Sequence, residues 1–530
     1  MPVPEPRSGS TIDAPNRVNE PKNGRRRLSA SGFGGAYGVI DIGSNSIRLV
    51  VFEALSRTPA TLFNERVQCG LGSGIEASHR LDPDAIEPSL GCLERFARTA
   101  NDLGAHSLDV VATAAIREAE DGAEFVREAK RRTGLDIRII SGLEEARLSA
   151  LGAASAAPGL TGVVGDLGGA SLELIEVVDG VPARSSTLAI GPLRFKDVEA
   201  KAERLAAVID REFAGAAWLA SAKGRPLHLV GGTWRALARL HMAHTDYPLP
   251  IIHGHRLLRP EAEALAKLVA GLSPKTMRKV ASVPKRRQEA LPFGALVLGR
   301  LLARAMPSEV VFSAYGLREG LLFERLSAAE RAVDPLLAGT ADLSARLGRG
   351  SGYGGMLDQW LVGAFQDRAA RDAILRRAAC DLAELCWRDH PDFRAEHAFH
   401  QVLRAPFVGL NHAERTFLAV AAASRYRAGT ARWASPVVEA LLAPADERRA
   451  HALGLAMRLA GLIANGRPEL LAPTRLTRTD SSELVLVLSE VPEAAMLKRL
   501  ERVIEEIAEL LDIKSRAVRV AGRPDAARSA

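Results

Sequence analysis

The hydrophobic and polar positions of this 530-residue chain contain one arrangement twice. Gly38-Val39-Ile40 leads into Asp41-Ile42-Gly43-Ser44-Asn45-Ser46-Ile47-Arg48-Leu49, and Val50-Val51-Phe52 follows. Gly162-Val163-Val164 leads into Asp166-Leu167-Gly168-Gly169-Ala170-Ser171-Leu172-Glu173-Leu174, and Ile175-Glu176-Val177-Val178 follows. Each copy reads as strand, tight turn, strand, with an acid ending the first strand and small residues in the turn. Elsewhere the period lengthens. Asp82-Pro83 starts a helix, with Asp as N-cap and Pro in the first turn, and Ile86, Leu90, Leu93, Phe96 and Ala97 keep helical spacing. Leu108 to Ala112 predicts a strand with Arg117 just past it. Ile137 to Ile140 predicts another, turning through Ser141-Gly142 into a helix that carries Glu144, Glu145, Leu148 and Leu151.

After the second copy, Leu227-His228-Leu229-Val230-Gly231-Gly232-Thr233 reads as strand, glycine turn and helix start. Val310-Val311-Phe312-Ser313 then enters Tyr315-Gly316-Leu317-Arg318-Glu319-Gly320. Alternating β and α elements around a duplicated hairpin predict an α/β fold of two lobes, residues 36–160 and 161–330. Residues 1–35, rich in Pro, Ser, Gly, Arg and Asn, predict a disordered basic tail. The Gly-, Ser- and Arg-rich run from Gly339 to Gly355 predicts a linker over 331–355. A mainly α-helical C-terminal domain is expected over 356–520. It would include a small β hairpin, Thr474 to Thr479 with Glu483 to Ser489, and a last amphipathic helix from about Pro492 to Leu511.

Composition narrows the chemistry. A net charge of +7 favours a polyanionic partner without choosing among nucleic acid, nucleotide and phosphate polymer. Cys69, Cys92, Cys380 and Cys386 form no C-x-x-C, which predicts reduced thiols in a cytoplasm rather than a disulfide frame or zinc ribbon. The best apolar stretch, Phe293 to Met306, is interrupted by Arg300 and Arg304, so no membrane span is expected. Arg25-Arg26-Arg27 precedes a Ser/Gly-rich segment, not the apolar core of an export signal. In the duplicated turns, small side chains let backbone N–H groups approach an anion, and the adjoining Asp can hold a hard divalent cation. Two such hairpins facing across a cleft would grip a phosphate chain and its metal.

These residues resemble a known family. The two Asp-x-Gly loops look like the phosphate motifs of the sugar kinase/Hsp70/actin superfamily. Within it, Asp41 to Ser46 with Ser141-Gly142-Leu143-Glu144-Glu145-Ala146-Arg147-Leu148 resembles the exopolyphosphatase/guanosine pentaphosphatase (Ppx/GppA) family. Thr113-Ala114-Ala115-Ile116-Arg117 and Tyr315 to Gly320 match its other signatures, and the resemblance spans roughly residues 37–326. It implies a duplicated actin-like, ribonuclease H-like ATPase-type core. It also implies Mg²⁺ as cofactor and inorganic polyphosphate or guanosine pentaphosphate as substrate. A homodimer is expected, with neither nucleic acid nor membrane as partner. Ala170, Ser313 and Lys285 depart from the family pattern and bear on substrate preference. No His-Asp dipeptide occurs, so an HD-type C-terminal domain, as in well-known relatives, would be degenerate or different.

Roles follow from that resemblance. Glu145, in a helix's first turn where the dipole favours a carboxylate, matches the family's water activator, and Glu144 points elsewhere. Asp41 and Asp166 would hold Mg²⁺ with Glu173, which shares a strand face with Ser171. Gly43, Ser44, Asn45, Gly168 and Gly169 would supply amides, Ser171 a hydroxyl, and Arg117 a planar fork for phosphoryl oxygens. The alternatives are structural acids at a helix start, a solvent-facing strand acid, and a surface ion pair. Lys275, Arg278, Lys279, Lys285, Arg286 and Arg287 would track a long anion, or else coat a solvated helix; Arg286 and Arg287 are the substrate-binding candidates. Gly231-Gly232-Thr233 resembles the superfamily's adenosine-contact loop but also reads as a plain turn, and Gly70 to Gly74 reads as a loop. His390, Asp392, His397 and His400 have spacing compatible with a metal site, though such spacing arises readily on helices. The leading function is an Mg²⁺-dependent exopolyphosphatase. Guanosine pentaphosphate hydrolysis comes next, ahead of a kinase-like phosphotransferase or a polyphosphate sensor.

Overall fold

The computed structural model describes residues 35–195, 202–348, 352–427, 429, 431–479 and 483–521. The tail expected over 1–35 lies outside them apart from Gly35. The first lobe is a five-stranded sheet of β1 (Ala36–Ile42), β2 (Ser46–Phe52), β3 (Thr61–Gln68), β4 (Ala105–Ala112) and β5 (Ile137–Ile139), in the order β3-β2-β1-β4-β5. The second lobe contains β6 (Gly162–Leu167), β7 (Leu172–Val178), β8 (Val181–Leu188), β9 (Leu227–Val230), β10 (Arg256–Leu258) and β11 (Glu309–Phe312), in the order β10-β11-β9-β6-β7-β8. The duplication extends to pairing. β1/β2 and β2/β3 are antiparallel and β1/β4 and β4/β5 parallel; β6/β7, β7/β8, β6/β9 and β9/β11 repeat that series. β10 adds an antiparallel edge strand to the second lobe alone.

Strand alternation then decides what each face meets. In β1, Ile40 and Ile42 join a core with the Pro83–Asp102 helix, while Tyr37 and Val39 turn to Leu148, Leu317 and Leu321. In β6, Val163 and Leu167 face Trp234 and Leu298, while Val164 turns to Ala146, Ala150 and Ala153. The Gly142–Ser155 helix therefore lies between the lobes, with Leu148 toward the first and its alanines toward the second. That explains a helix apolar on more than one side.

This helix crosses the Leu317–Arg325 helix through glycines. A Cβ at Gly320 would overlap the Leu148 carbonyl oxygen, and one at Gly152 the Gly316 carbonyl oxygen. Gly320→Ala must push the helices apart, at about 1–3 kcal/mol or more for overpacking. The same helices carry Glu145 and Arg318, so activity should fall further than stability, since misplacement by about 1 Å can cost a hundredfold. Melting temperature and kcat measured together check this; wild-type kcat in a folded Gly320→Ala protein would contradict it.

The expected linker is largely helix. Asp334 caps Pro335–Leu347, accepting from the N–H of Leu336 at 2.8 Å and of Leu337 at 3.2 Å. Glycines of the expected linker serve close packing. A Cβ on Gly339 would sit 3.2 Å from the Phe407 ring, and one on Gly354 would collide with Asp381. Residues 352–521 form a helical body, in which β12 (Arg475–Arg478), β13 (Glu483–Leu488) and β14 (Ser515–Val520) make a small sheet. The hairpin matches expectation. β14, parallel to β13, was not foreseen. This body docks on the core through Tyr247 Oη to His412 Nδ1 (2.8 Å) and Gly409 N–H to Ala156 O (2.9 Å), and Arg346 of the Pro335–Leu347 helix before it pairs with Glu53 (2.7 Å). Among the described residues no helix is long and apolar enough to cross a membrane.

Candidate active site

Asp41 and Asp166 occupy the polar ends of the two strand faces turned toward the Gly142–Ser155 helix. Each is followed by the same turn: Gly43 N–H donates to Ser46 O (3.0 Å) and Gly168 N–H to Ser171 O (2.9 Å). Identical registers follow, pairing Asp41 with Arg48 and Asp166 with Glu173. Directly opposed residues share a face, so Glu173 projects beside Asp166. Ser141 caps the intervening helix, its Oγ accepting from Glu144 N–H at 3.1 Å, which places Glu145 in the first turn over both acids. Glu144 leans away and pairs with Arg138 at the surface, as expected.

Asp41, Gly43, Ser44, Asn45, Glu145, Asp166, Gly168, Gly169 and Ser171 line one cavity of about 640 Å³ between the lobes. Burial pushes the Glu145 carboxyl up to about 7, opposed by Arg117 and reinforced by Asp166. Arg117 Nη1 lies 3.3 Å from Glu145 Oε2 and 2.9 Å from the Ile140 carbonyl, so a backbone anchor aims the guanidinium. Burial raises Asp41, with Arg318 opposing, and raises Asp166, where the Ser149 hydroxyl (2.6 Å) opposes. Glu173, 1% exposed, is held well above the usual range by burial and by the charges of Glu145 and Asp166. Its Oε1 has no hydrogen-bond partner.

Buried carboxylates kept near each other, one with an unused oxygen, are hard donors that suit a divalent cation. Asp41, Asp166 and Glu173 fit such an ion chemically. They do not form a closed cage: among the described residues no three His, Cys, Asp or Glu side chains stand close enough to enclose a metal. The same holds for His390, Asp392, His397 and His400. His397 instead pairs with Asp389 (3.0 Å) and His390 with Asp392 (3.7 Å).

Several arginines of the cleft escaped the sequence reading. Arg48 is the exact register counterpart of Glu173, so aligning the two copies would have found it. Arg318 lies within the Tyr315 to Gly320 motif. It is 8% exposed, 3.9 Å from Asp41, and its Nε has no partner. Arg235 follows the Gly231 turn (φ 106°) on the Gly232–His244 helix, and Arg66 comes from β3. Burial brings Arg48 and Arg235 down to about 10, and Arg318 pushes both the same way. Mutually repelling buried cations mark a site arranged for an anion. Of the basic run, Arg287 reaches this cavity, its guanidinium lying where a Cβ on Gly232 would stand. Lys275, Arg278, Lys279 and Lys285 are exposed and outside the cavity lining, and the Arg286 side chain lies outside the described residues.

A second cavity of about 700 Å³ continues from the first. Both share Arg48, Arg66, Arg235, Arg287 and Arg318, and the second adds Arg57 and Arg239.

The model of the Ppx/GppA phosphatase family matches residues 50–329, and that of the exopolyphosphatase C-terminal domain residues 357–518. Among solved structures, an exopolyphosphatase from Cytophaga hutchinsonii is similar at 21% identity and a TM-score of 0.51, over 54% of this chain and 96% of that one. The Ppx/GppA family member from Aquifex aeolicus is 24% identical, over 55% of this chain and 99% of its own, with a TM-score of 0.49. The first likeness supports the two-lobed actin-like fold.

Proposed function

From its membership of the Ppx/GppA phosphatase family, which makes this chain a phosphoric anhydride hydrolase, we propose that it is an exopolyphosphatase removing orthophosphate from the end of inorganic polyphosphate. The observation that carries this is the arginine-lined continuation of the cleft. Five arginines shared by two joined cavities, with Arg57 and Arg239 beyond, offer more positive charge than one terminal phosphate requires. A chain of phosphates has a use for all of them.

In this reading the loop amides and Arg117 hold the terminal phosphoryl group. Glu145 takes a proton from water as its oxygen attacks phosphorus. The bridging P–O bond breaks, releasing orthophosphate, and the shortened chain keeps the bridging oxygen, whose charge Arg318 and Arg48 neutralise. Asp41, Asp166 and Glu173 would hold Mg²⁺, which when bound neutralises phosphoryl charge. Asp41→Asn and Asp166→Asn are each expected to raise the Mg²⁺ concentration for half-maximal rate, because each removes a negative charge from the ion's surroundings. Unchanged metal titrations in both variants would separate the duplicated loops from the metal.

A second reading, hydrolysis of guanosine pentaphosphate, is favoured by Phe195 and Phe293, which line the cleft with ring centroids 5.2 Å apart and could stack a base. Salt distinguishes the two. A long polyanion displaces many counterions, so log affinity falls steeply with log salt, as it does for DNA, whereas a nucleotide engaging few phosphates gives a flatter slope. Phosphate release and binding on both substrates across salt concentrations test this. We expect long polyphosphate to be the better substrate with the steeper slope, and Arg239→Ala to weaken long chains more than short ones. Preference for the pentaphosphate, or equal slopes, would favour the nucleotide reading.

A further inference from the structure

Both phosphate loops are backed by a strap that holds their carbonyls. In the first lobe, Gly72 N–H donates to Ser44 O (2.8 Å), while Cys69 and Gly70 N–H reach Asn45 O (3.2 and 3.3 Å). At the equivalent positions of the second lobe, Leu193 N–H donates to Gly169 O (2.9 Å) and Arg194 Nε to Ala170 O (2.6 Å). The approach is close: a Cβ on Gly72 would stand 2.9 Å from Ser44 Cβ, and one on Gly191 would overlap the Gly169 carbonyl. In a planar trans peptide the C=O and the following N–H point in opposite directions. Holding Gly169 O and Ala170 O on the strap therefore turns the N–H groups of Ala170 and Ser171 the other way.

The two straps differ in one respect. In the first, Ser44 O and Asn45 O accept from backbone N–H groups. The second uses a side chain, and that side chain crosses between lobes, because Arg194 Nη2 lies 2.7 Å from Glu118 Oε2. Glu118 directly follows Arg117, on the same short helix Ala114–Glu118.

We propose that Arg194 is a positioning residue for phosphate hydrolysis: it orients the Ala170–Ser171 peptide toward the phosphoryl group and ties that loop, through Glu118, to the segment bearing Arg117. Two donors of one planar fork serve two lobes, so the second loop and Arg117 stay in register across the cleft. The inference rests on the reading of these loops as a phosphate cradle.

The test compares full-length Arg194→Met, Arg194→Lys, Glu118→Gln and the Arg194→Met/Glu118→Gln double variant. Turnover of long polyphosphate, calorimetric binding of tripolyphosphate and melting temperature are measured for each. Arg194→Met should lower kcat about tenfold or more and weaken tripolyphosphate binding, with little change in melting temperature. Lysine can satisfy one partner, not both, so Arg194→Lys should fall between. The double variant should lose less than the product of the single losses, because both act through one tie. Wild-type binding and kcat in Arg194→Met, or multiplicative losses in the double variant, would overturn the assignment. So would losses that appear only alongside a collapsed melting temperature in both Arg194 variants. An inactive wild-type protein that binds tripolyphosphate in an Arg194-dependent way would instead fail the hydrolase reading and leave the positioning role standing.

Discussion

Glu145→Gln is expected to cut phosphate release by about a hundredfold or more while leaving polyphosphate binding largely intact, the usual scale for loss of a general base. Burial brings the Glu145 carboxyl to about 7, close to the pH at which a base must both exist and accept a proton. Glutamine keeps the length and can still accept from Arg117 Nη1, but it takes up no proton. The loops and arginines that would grip the chain are untouched, and one negative charge has left a cleft meant for an anion. Single-turnover release alongside equilibrium binding separates the two quantities. Wild-type turnover in the variant would move the base elsewhere. Glu144 is then a poor substitute, since it lies outward against Arg138; Glu173, buried opposite Asp166 with an unpartnered Oε1, is the better one.

Arg318→Met should lower kcat/KM by about a hundredfold or more, the scale on which one preorganised donor to a developing charge counts. Methionine keeps most of the apolar stem and removes the guanidinium. The native side chain is buried, near Asp41, and holds Nε in reserve without a partner. An unspent buried donor is costly in the free protein, and that cost is recovered when a phosphate oxygen arrives. Arg318→Lys, which keeps charge but loses the fork, should fall between the two. Added Mg²⁺ should not restore Arg318→Met, because the loss is of a donor and not of metal affinity. A change smaller than about tenfold would remove Arg318 from the group that contacts the phosphoryl chain.

Several residues of the candidate site were legible because their signals are local in the sequence. Asp41 and Asp166 are found by strand, turn and strand; Glu145 by a capped helix; Glu173 by alternation within β7. Arg48 was equally accessible, since the two copies align residue by residue, but a cation opposite an acid does not look like part of a metal site. Arg235 and Arg66 carry no such signal, and Arg318 none beyond its place in the Tyr315 to Gly320 motif. An arginine on a helix or an edge strand reads as surface, and only its neighbours across the chain place it in the cleft. The helix inside the expected linker escaped for a related reason. Glycine density indicates flexibility when nothing packs on it, and Phe407 and Asp381, which pack on Gly339 and Gly354, lie far along the sequence. β14 escaped because a parallel partner, separated from β13 by the Ala494–Leu510 helix, leaves no hairpin signature.

The sequence by itself determined the duplicated hairpins, the α/β class, the helical C-terminal body and the acids that end strands or begin helices, because each depends on periodicity and turn chemistry within a few residues. Only the tertiary structure decided that the two acid-bearing faces turn toward one helix, that arginines from both lobes converge into joined cavities, and that Arg194 reaches Glu118. Those are distances between residues remote in the chain. They are set by which face each sheet buries and how closely glycine lets two backbones approach.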